Sequence, residues 1–151
     1  MENYSHEVFW IAGYKISTTN KDHQSGKDIM QAWTKFRSEN MADLIQGKSN
    51  PTIHCIYFNY QNPENIDERS YDMLIGFTTE EGALQDNEQI TSIEIPKQDY
   101  KYTMVTGELP QALITEWSKI NQMSSEELRR SYGYDMDMYT DDGVCLAVSV
   151  S

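Results

Sequence analysis

Positive charge is scarce in this chain: 12 Lys and Arg stand against 24 Asp and Glu, a net of −12 over 151 residues. A field of that sign repels nucleic-acid phosphates and anionic lipid, and it concentrates cations near the surface. There is no basic run and no helix-turn-helix segment with a basic face, so direct binding to nucleic acid is not expected. Long apolar runs are missing too, and none approaches the roughly 20 residues of a membrane-spanning helix. The opening Met1-Glu2-Asn3-Tyr4-Ser5-His6-Glu7 is not a basic leader followed by an apolar segment, so a cytoplasmic protein is expected. Cysteine occurs only as Cys55 and Cys145, read as two buried reduced thiols rather than a disulfide.

Motifs of metal and cofactor chemistry are equally thin. Asp135-x-Asp137-x-x-x-Asp141-Asp142-Gly143 has the look of a calcium loop, but its twelfth position is Leu146 instead of a bidentate Glu, and its glycine is misplaced. His6, His23 and His54 show no zinc-ligand spacing with the cysteines. Neither a nucleophile motif nor a phosphate-binding glycine loop is present. No metal and no cofactor are expected.

What the chain does have is aromatic residues, 11% of the total, with ten tyrosines and three tryptophans. Rings of that size can build much of a core although hydrophobic residues make up only 38%. The length suits one domain over 1–151. Aromatic and β-branched residues over 9–18 predict a strand, and polar 21–27 a loop. Ser25-Gly26-Lys27-Asp28 resembles a helix cap, after which Ile29, Trp33 and Phe36 recur at helical spacing. This helix is expected to continue through Met41, Leu44 and Ile45 to a stop at Gly47 and Pro51. Strands over 52–60 and 71–79 then form an antiparallel hairpin with a long tip.

The second half restarts the order: strand segments over 90–95 and 100–106, then a helix opened by Pro110. Ser124 and Glu127 predict the cap of a short further helix. Strands over 134–139 and 144–150 join through Asp141-Asp142-Gly143. Ile29-x-x-x-Trp33-Thr34-Lys35-Phe36 is matched by Leu113-x-x-x-Trp117-Ser118-Lys119-Ile120. The expectation is an α+β fold of two β-α-β-β units, about 8–80 and 90–151, related by a pseudo-two-fold, with antiparallel sheets around a central ligand cleft.

In that order of elements, several stretches resemble the GyrI-like, or AraC-type, bacterial effector-binding domain family. They are Ala32-Trp33-Thr34-Lys35-Phe36, Ile56-Tyr57-Phe58-Asn59-Tyr60, Tyr71-Asp72-Met73-Leu74-Ile75-Gly76-Phe77, Ile93-Glu94-Ile95-Pro96 with Tyr100 and Gly107, and Tyr134-Asp135-Met136-Asp137-Met138-Tyr139. The resemblance implies a central pocket for lipophilic cations or other amphipathic compounds. It also implies a stand-alone member, like the drug-binding proteins of mobile gene cassettes, with a separate regulatory protein as a possible partner. The family usually has Glu where this chain has Asp137, a side chain shorter by one C–C bond, about 1.5 Å.

Asp137 and Tyr139, two apart on a strand, face one side, and Tyr134, Met136 and Met138 the other. Parity alone favours a solvated face for Asp135, Asp137 and Tyr139; the resemblance selects a pocket carboxylate instead. Trp33 and Trp117 read as core packing on helix faces, with a ring edge available to the cleft. Tyr57 and Tyr71 read equally as pocket walls or packing residues. The resulting expectation is an effector- or drug-binding protein whose ligand-binding residues are Asp137, Tyr139, Tyr57, Tyr71, Trp33 and Trp117. Two other readings stay open. The resemblance admits a hydrolase of strained cyclopropane-bearing natural products, with Asp137 as base, and a protein-interaction module such as a gyrase inhibitor.

Overall fold

The computed structural model describes residues 1–81 and 87–151. Strands form where apolar residues alternate: β1 (Glu2–Ser5), β2 (Phe9–Thr19), β3 (Ile53–Gln61), β4 (Ser70–Thr79), β5 (Thr91–Ile95), β6 (Asp99–Val105), β7 (Asp135–Thr140) and β8 (Gly143–Val150). Two helices follow the 3.6-residue pattern, α1 (Gln24–Ser38) and α2 (Gln111–Gln122). The fold is α+β, as expected.

All strands join one antiparallel sheet in the order β1-β6-β8-β7-β3-β4-β2-β5. Outward from the middle the order is the same on both sides: β3-β4-β2 is answered by β7-β8-β6. Each half also lends a strand to the other. β1 precedes β2 in the chain but pairs with β6, and β5 precedes β6 but pairs with β2. The pseudo-two-fold runs through the central β3–β7 ladder, where Ile53 lies opposite Tyr139, Cys55 opposite Asp137 and Tyr57 opposite Asp135.

Strand alternation sorts the core into two faces. On the helix face, Ala12, Cys55, Met73, Ile75 and Phe77 are buried with Ala32 and Phe36 of α1. Leu146 and Val148 are buried there with Ile120 of α2. The opposite face buries Ile11, Ile56, Leu74, Ile95, Tyr100 and Met136 in one cluster. Because that cluster draws on β2 and β5 from one side of the sheet and β6 from the other, the sheet curves around it. β2 and β4 pair two glycines, Gly13 and Gly76, and a Cβ on Gly13 would lie 2.1 Å from the carbonyl oxygen of Ile75.

Four local expectations are corrected. Ser25 to Asp28 does not cap α1, which begins at Gln24 behind a left-handed His23. Asp28 lies inside the helix and accepts hydrogen bonds from the Thr18 hydroxyl at 2.9 Å and the Gln24 amide at 3.0 Å. The first helix ends at Ser38, because Asn40 turns left-handed (φ 51°); Met41 and Ile45 are buried from a separate 3-10 turn over Met41–Leu44. Ser124 and Glu127 do exchange the two bonds of a capping box, at 3.2 and 3.1 Å, but they close a turn instead of opening a helix. Finally, β1 was not anticipated: all four of its residues are exposed, so no hydrophobic alternation marks it.

Candidate functional site

A cleft of about 1010 Å³ lies between α1 and α2, over the centre of the sheet. Ligand sites commonly occupy roughly 300–1,000 Å³, so this one can enclose a multi-ring molecule. Its walls come from the two helices: Ile29, Met30 and Trp33 from α1, and Leu113, Ile114 and Trp117 from α2. Tyr57 of β3 and Tyr139 of β7 reach up from the sheet. Exposed Met30 and Ile114, 70% and 56% accessible, are large apolar side chains left without cover at the cleft.

The aromatic frame repeats across the pseudo-two-fold. Trp33 meets Tyr139 edge-on, with ring centroids 5.2 Å apart and planes at 72°. Trp117 meets Tyr57 in the same way, at 5.5 Å and 77°. Both tryptophans are half-buried, so each packs against a core cluster and shows a face to the cleft. At the rim, the Arg37 guanidinium lies over the Trp33 ring at 5.1 Å.

Asp137 lies beneath this frame and is fully buried. One carboxylate oxygen accepts the Tyr57 hydroxyl at 2.8 Å, and the other accepts the indole N–H of Trp117 at 3.0 Å. Burial pushes its pKa up to about 7, against the lowering effect of those two bonds, and Asp135 adds to the rise. The carboxylate is therefore held under two of the cleft's aromatic walls without being open to solvent. Across the ladder, burial and Asp137 push the Cys55 thiol well above its ordinary range, which leaves it a packing residue without thiolate character.

Asp135 does not lie on a solvated face. It is fully buried, paired with Arg130 at 2.8 Å, and accepts the Tyr60 hydroxyl at 2.6 Å and the Ser149 N–H at 2.7 Å. Tyr71 stands apart from the main cleft and lines a smaller adjoining chamber with Tyr60, Arg69, Asn121 and Arg130. Those four were not anticipated. A bulge at left-handed Asn59 (φ 54°) shifts the register after Phe58, which brings Tyr60 to the face where Tyr57 already points. Arg69 and Arg130 come from loops, where no periodic signal exists. Their scarcity was the available clue, since so few basic residues are present.

The fold has close counterparts. The integron cassette protein from the mobile metagenome of Vibrio cholerae superposes with a TM-score of 0.71 at 18% identity, over 99% of this chain and 95% of that one. A protein solved with tetraphenylphosphonium bound gives 0.75 at 14% identity, over 99% and 93%. A third protein, from Staphylococcus aureus MU50, gives 0.73 at 13% identity, over 99% and 97%. Among curated protein sequences none matches. No described helix is long and apolar enough to cross a membrane. A family model does match, over residues 5–147, and the chain belongs to that family, Cass2, the integron-associated effector binding proteins.

Proposed function

We propose that the cleft between α1 and α2 binds aromatic, lipophilic cations, and that the protein acts as a sensor or sequestering protein for them. The observation that carries this reading is the pairing of two indole–phenol walls with a buried carboxylate directly beneath one of them. Apolar rings gain burial against Ile29, Leu113 and the tryptophans. Tyrosine and tryptophan faces attract a delocalised positive charge by about 0.5–2 kcal/mol each. Asp137 then supplies the counter-charge through Tyr57 and Trp117, whose donated hydrogen bonds polarise both rings toward it. The tetraphenylphosphonium bound to a protein of the same fold supports the choice of ligand class.

Tetraphenylphosphonium and tetraphenylborate test this, because they share a shape and differ in the sign of charge. Calorimetric titration is expected to give saturable, one-to-one binding of the cation and much weaker binding of the anion. Equal binding of the two would leave a lipophilic cleft and remove the cation preference. No binding of either would overturn the reading.

A further inference from the structure

Beside the cleft lies a chamber of about 180 Å³, lined by Asn20, Tyr60, Arg69, Tyr71 and Arg130, among others. Ile29, Tyr57, Trp117 and Asn121 line both hollows, so the two adjoin along these side chains.

The charge in the chamber runs against the rest of the molecule. Two guanidiniums face one carboxylate: Arg130 is paired with Asp135, whereas Arg69 makes no ion pair among the described residues. Arg69 donates instead to the Pro63 carbonyl and to Asn121 Oδ1, the latter at 3.0 Å. Arg130 donates to the same Asn121 oxygen at 2.9 Å, so a single neutral acceptor serves both cations. Its Nε–H is buried and has no hydrogen-bond partner, and its side chain is only 6% exposed. A buried donor left unmatched is costly, and most such groups find an acceptor. Burial and the neighbouring Arg130 lower the pKa of Arg69, consistent with a surplus of positive charge here.

We infer that this chamber is a carboxylate-accepting subsite, and that ligands of the cleft are zwitterionic aromatic amphipaths. Their cationic ring system lies against Trp33, Trp117 and Tyr57, while a carboxylate enters the chamber to meet the Arg69 and Arg130 guanidiniums that line it. The planar fork of a guanidinium suits a carboxylate better than any other side chain does. This inference rests on the cleft being the binding site for lipophilic cations, and it narrows that class.

The test uses a fluorescent xanthene dye in two forms, the free benzoic acid and its methyl ester. Both carry the delocalised cation; only the acid adds a carboxylate. Fluorescence anisotropy is expected to show the acid binding about tenfold or more tightly, the effect of a charge-assisted hydrogen bond. Asn121→Asp places a carboxylate against both arginines with little change of shape, and should bring the acid-to-ester ratio to one or below. Arg69→Gln should also collapse the ratio, with circular dichroism checking its fold. Equal binding of acid and ester by the native protein overturns the subsite and leaves the cleft reading intact. If neither dye binds, the cleft reading fails and benzoate alone decides the chamber. A saturable change in tryptophan fluorescence, reported by Trp117 and lost in Asn121→Asp, supports it; no change overturns it.

Discussion

Cys55 and Asp137 face each other across the central ladder, each two residues before a cleft tyrosine, Tyr57 and Tyr139. The pseudo-two-fold thus places a thiol in one half where the other has a carboxylate. Aromatic walls are duplicated, but the charge is not. Trp117 and Tyr57, from opposite halves, both turn their polar hydrogens to the one carboxylate.

Asp137→Asn removes that charge and keeps the hydrogen bonds. The Asn oxygen accepts from Trp117, and its NH₂ donates to a Tyr57 hydroxyl that switches from donor to acceptor. Tetraphenylphosphonium binding should weaken by about 2–5 kcal/mol, the usual effect of a lost buried charge partner. Tetraphenylborate should lose nothing. Equal losses for both ions in calorimetry would make Asp137 a structural residue only.

The pH dependence follows from the raised pKa. In the folded protein Asp137 titrates at about 7, against ~3.9 for an ordinary Asp. The folded state therefore holds the proton more tightly, so this residue's contribution to stability is full below pH ~4 and disappears as pH rises through about 7. Affinity for tetraphenylphosphonium should do the opposite, rising through about pH 7 and levelling above it. Cys55, Tyr57, Tyr139 and Cys145, which lie around Asp137, are all shifted upward and stay protonated in this range. Burial lowers the pKa of His54 on β3, which gives stability an opposing slope at acid pH. The difference between native protein and Asp137→Asn, melted at pH 5 and pH 8, isolates the carboxylate.

The two tryptophans should separate by chemistry. Trp117→Phe keeps most of the ring and deletes the N–H that holds Asp137. The pH midpoint of cation binding should move upward, because the carboxylate has lost a stabilising donor. Trp33→Phe should reduce affinity without moving the midpoint. A shift in both, or in neither, would contradict the one-sided arrangement.

Asp135→Asn should act on folding. It leaves Arg130 buried without its counter-ion, a change that typically costs about 3–5 kcal/mol. Urea denaturation measures it, and a loss below about 1 kcal/mol would mean that the pair is solvent-screened in solution.

With a net charge of −12 and two of its arginines buried, the protein should give no gel shift with duplex DNA at physiological salt. A tight, salt-dependent shift would overturn this.

Alternation along 9–18, 52–60 and 71–79 and the Trp33/Trp117 helix pattern made the sheet and its two helices legible, because burial on a defined face leaves a periodic trace. Parity also placed Asp137 and Tyr139 on one side and Met136 on the other. What could not be read depends on single backbone events or distant loops. The left-handed Asn40 ends α1 although Met41, Leu44 and Ile45 prolong its apolar pattern. The Asn59 bulge re-aims Tyr60, and Arg69 and Arg130 meet on Asn121 only after the chain has closed. Tyr71 shared the right face and strand, yet it serves the chamber instead of the main cleft.

The exchange of β1 and β5 between halves bears on how the molecule opens and closes. Glu2 pairs with Tyr102, so the first strand can dock only after a very long stretch of chain has been ordered. Every residue of β1 is exposed, and it forms one outer edge of the sheet with a single neighbour. Such a strand adds little burial to resist fraying, and its amides should exchange with solvent far sooner than those of β3 and β7. The exposed outer strand should be released first, and the β3–β7 ladder under the cleft, paired on both sides, should open last.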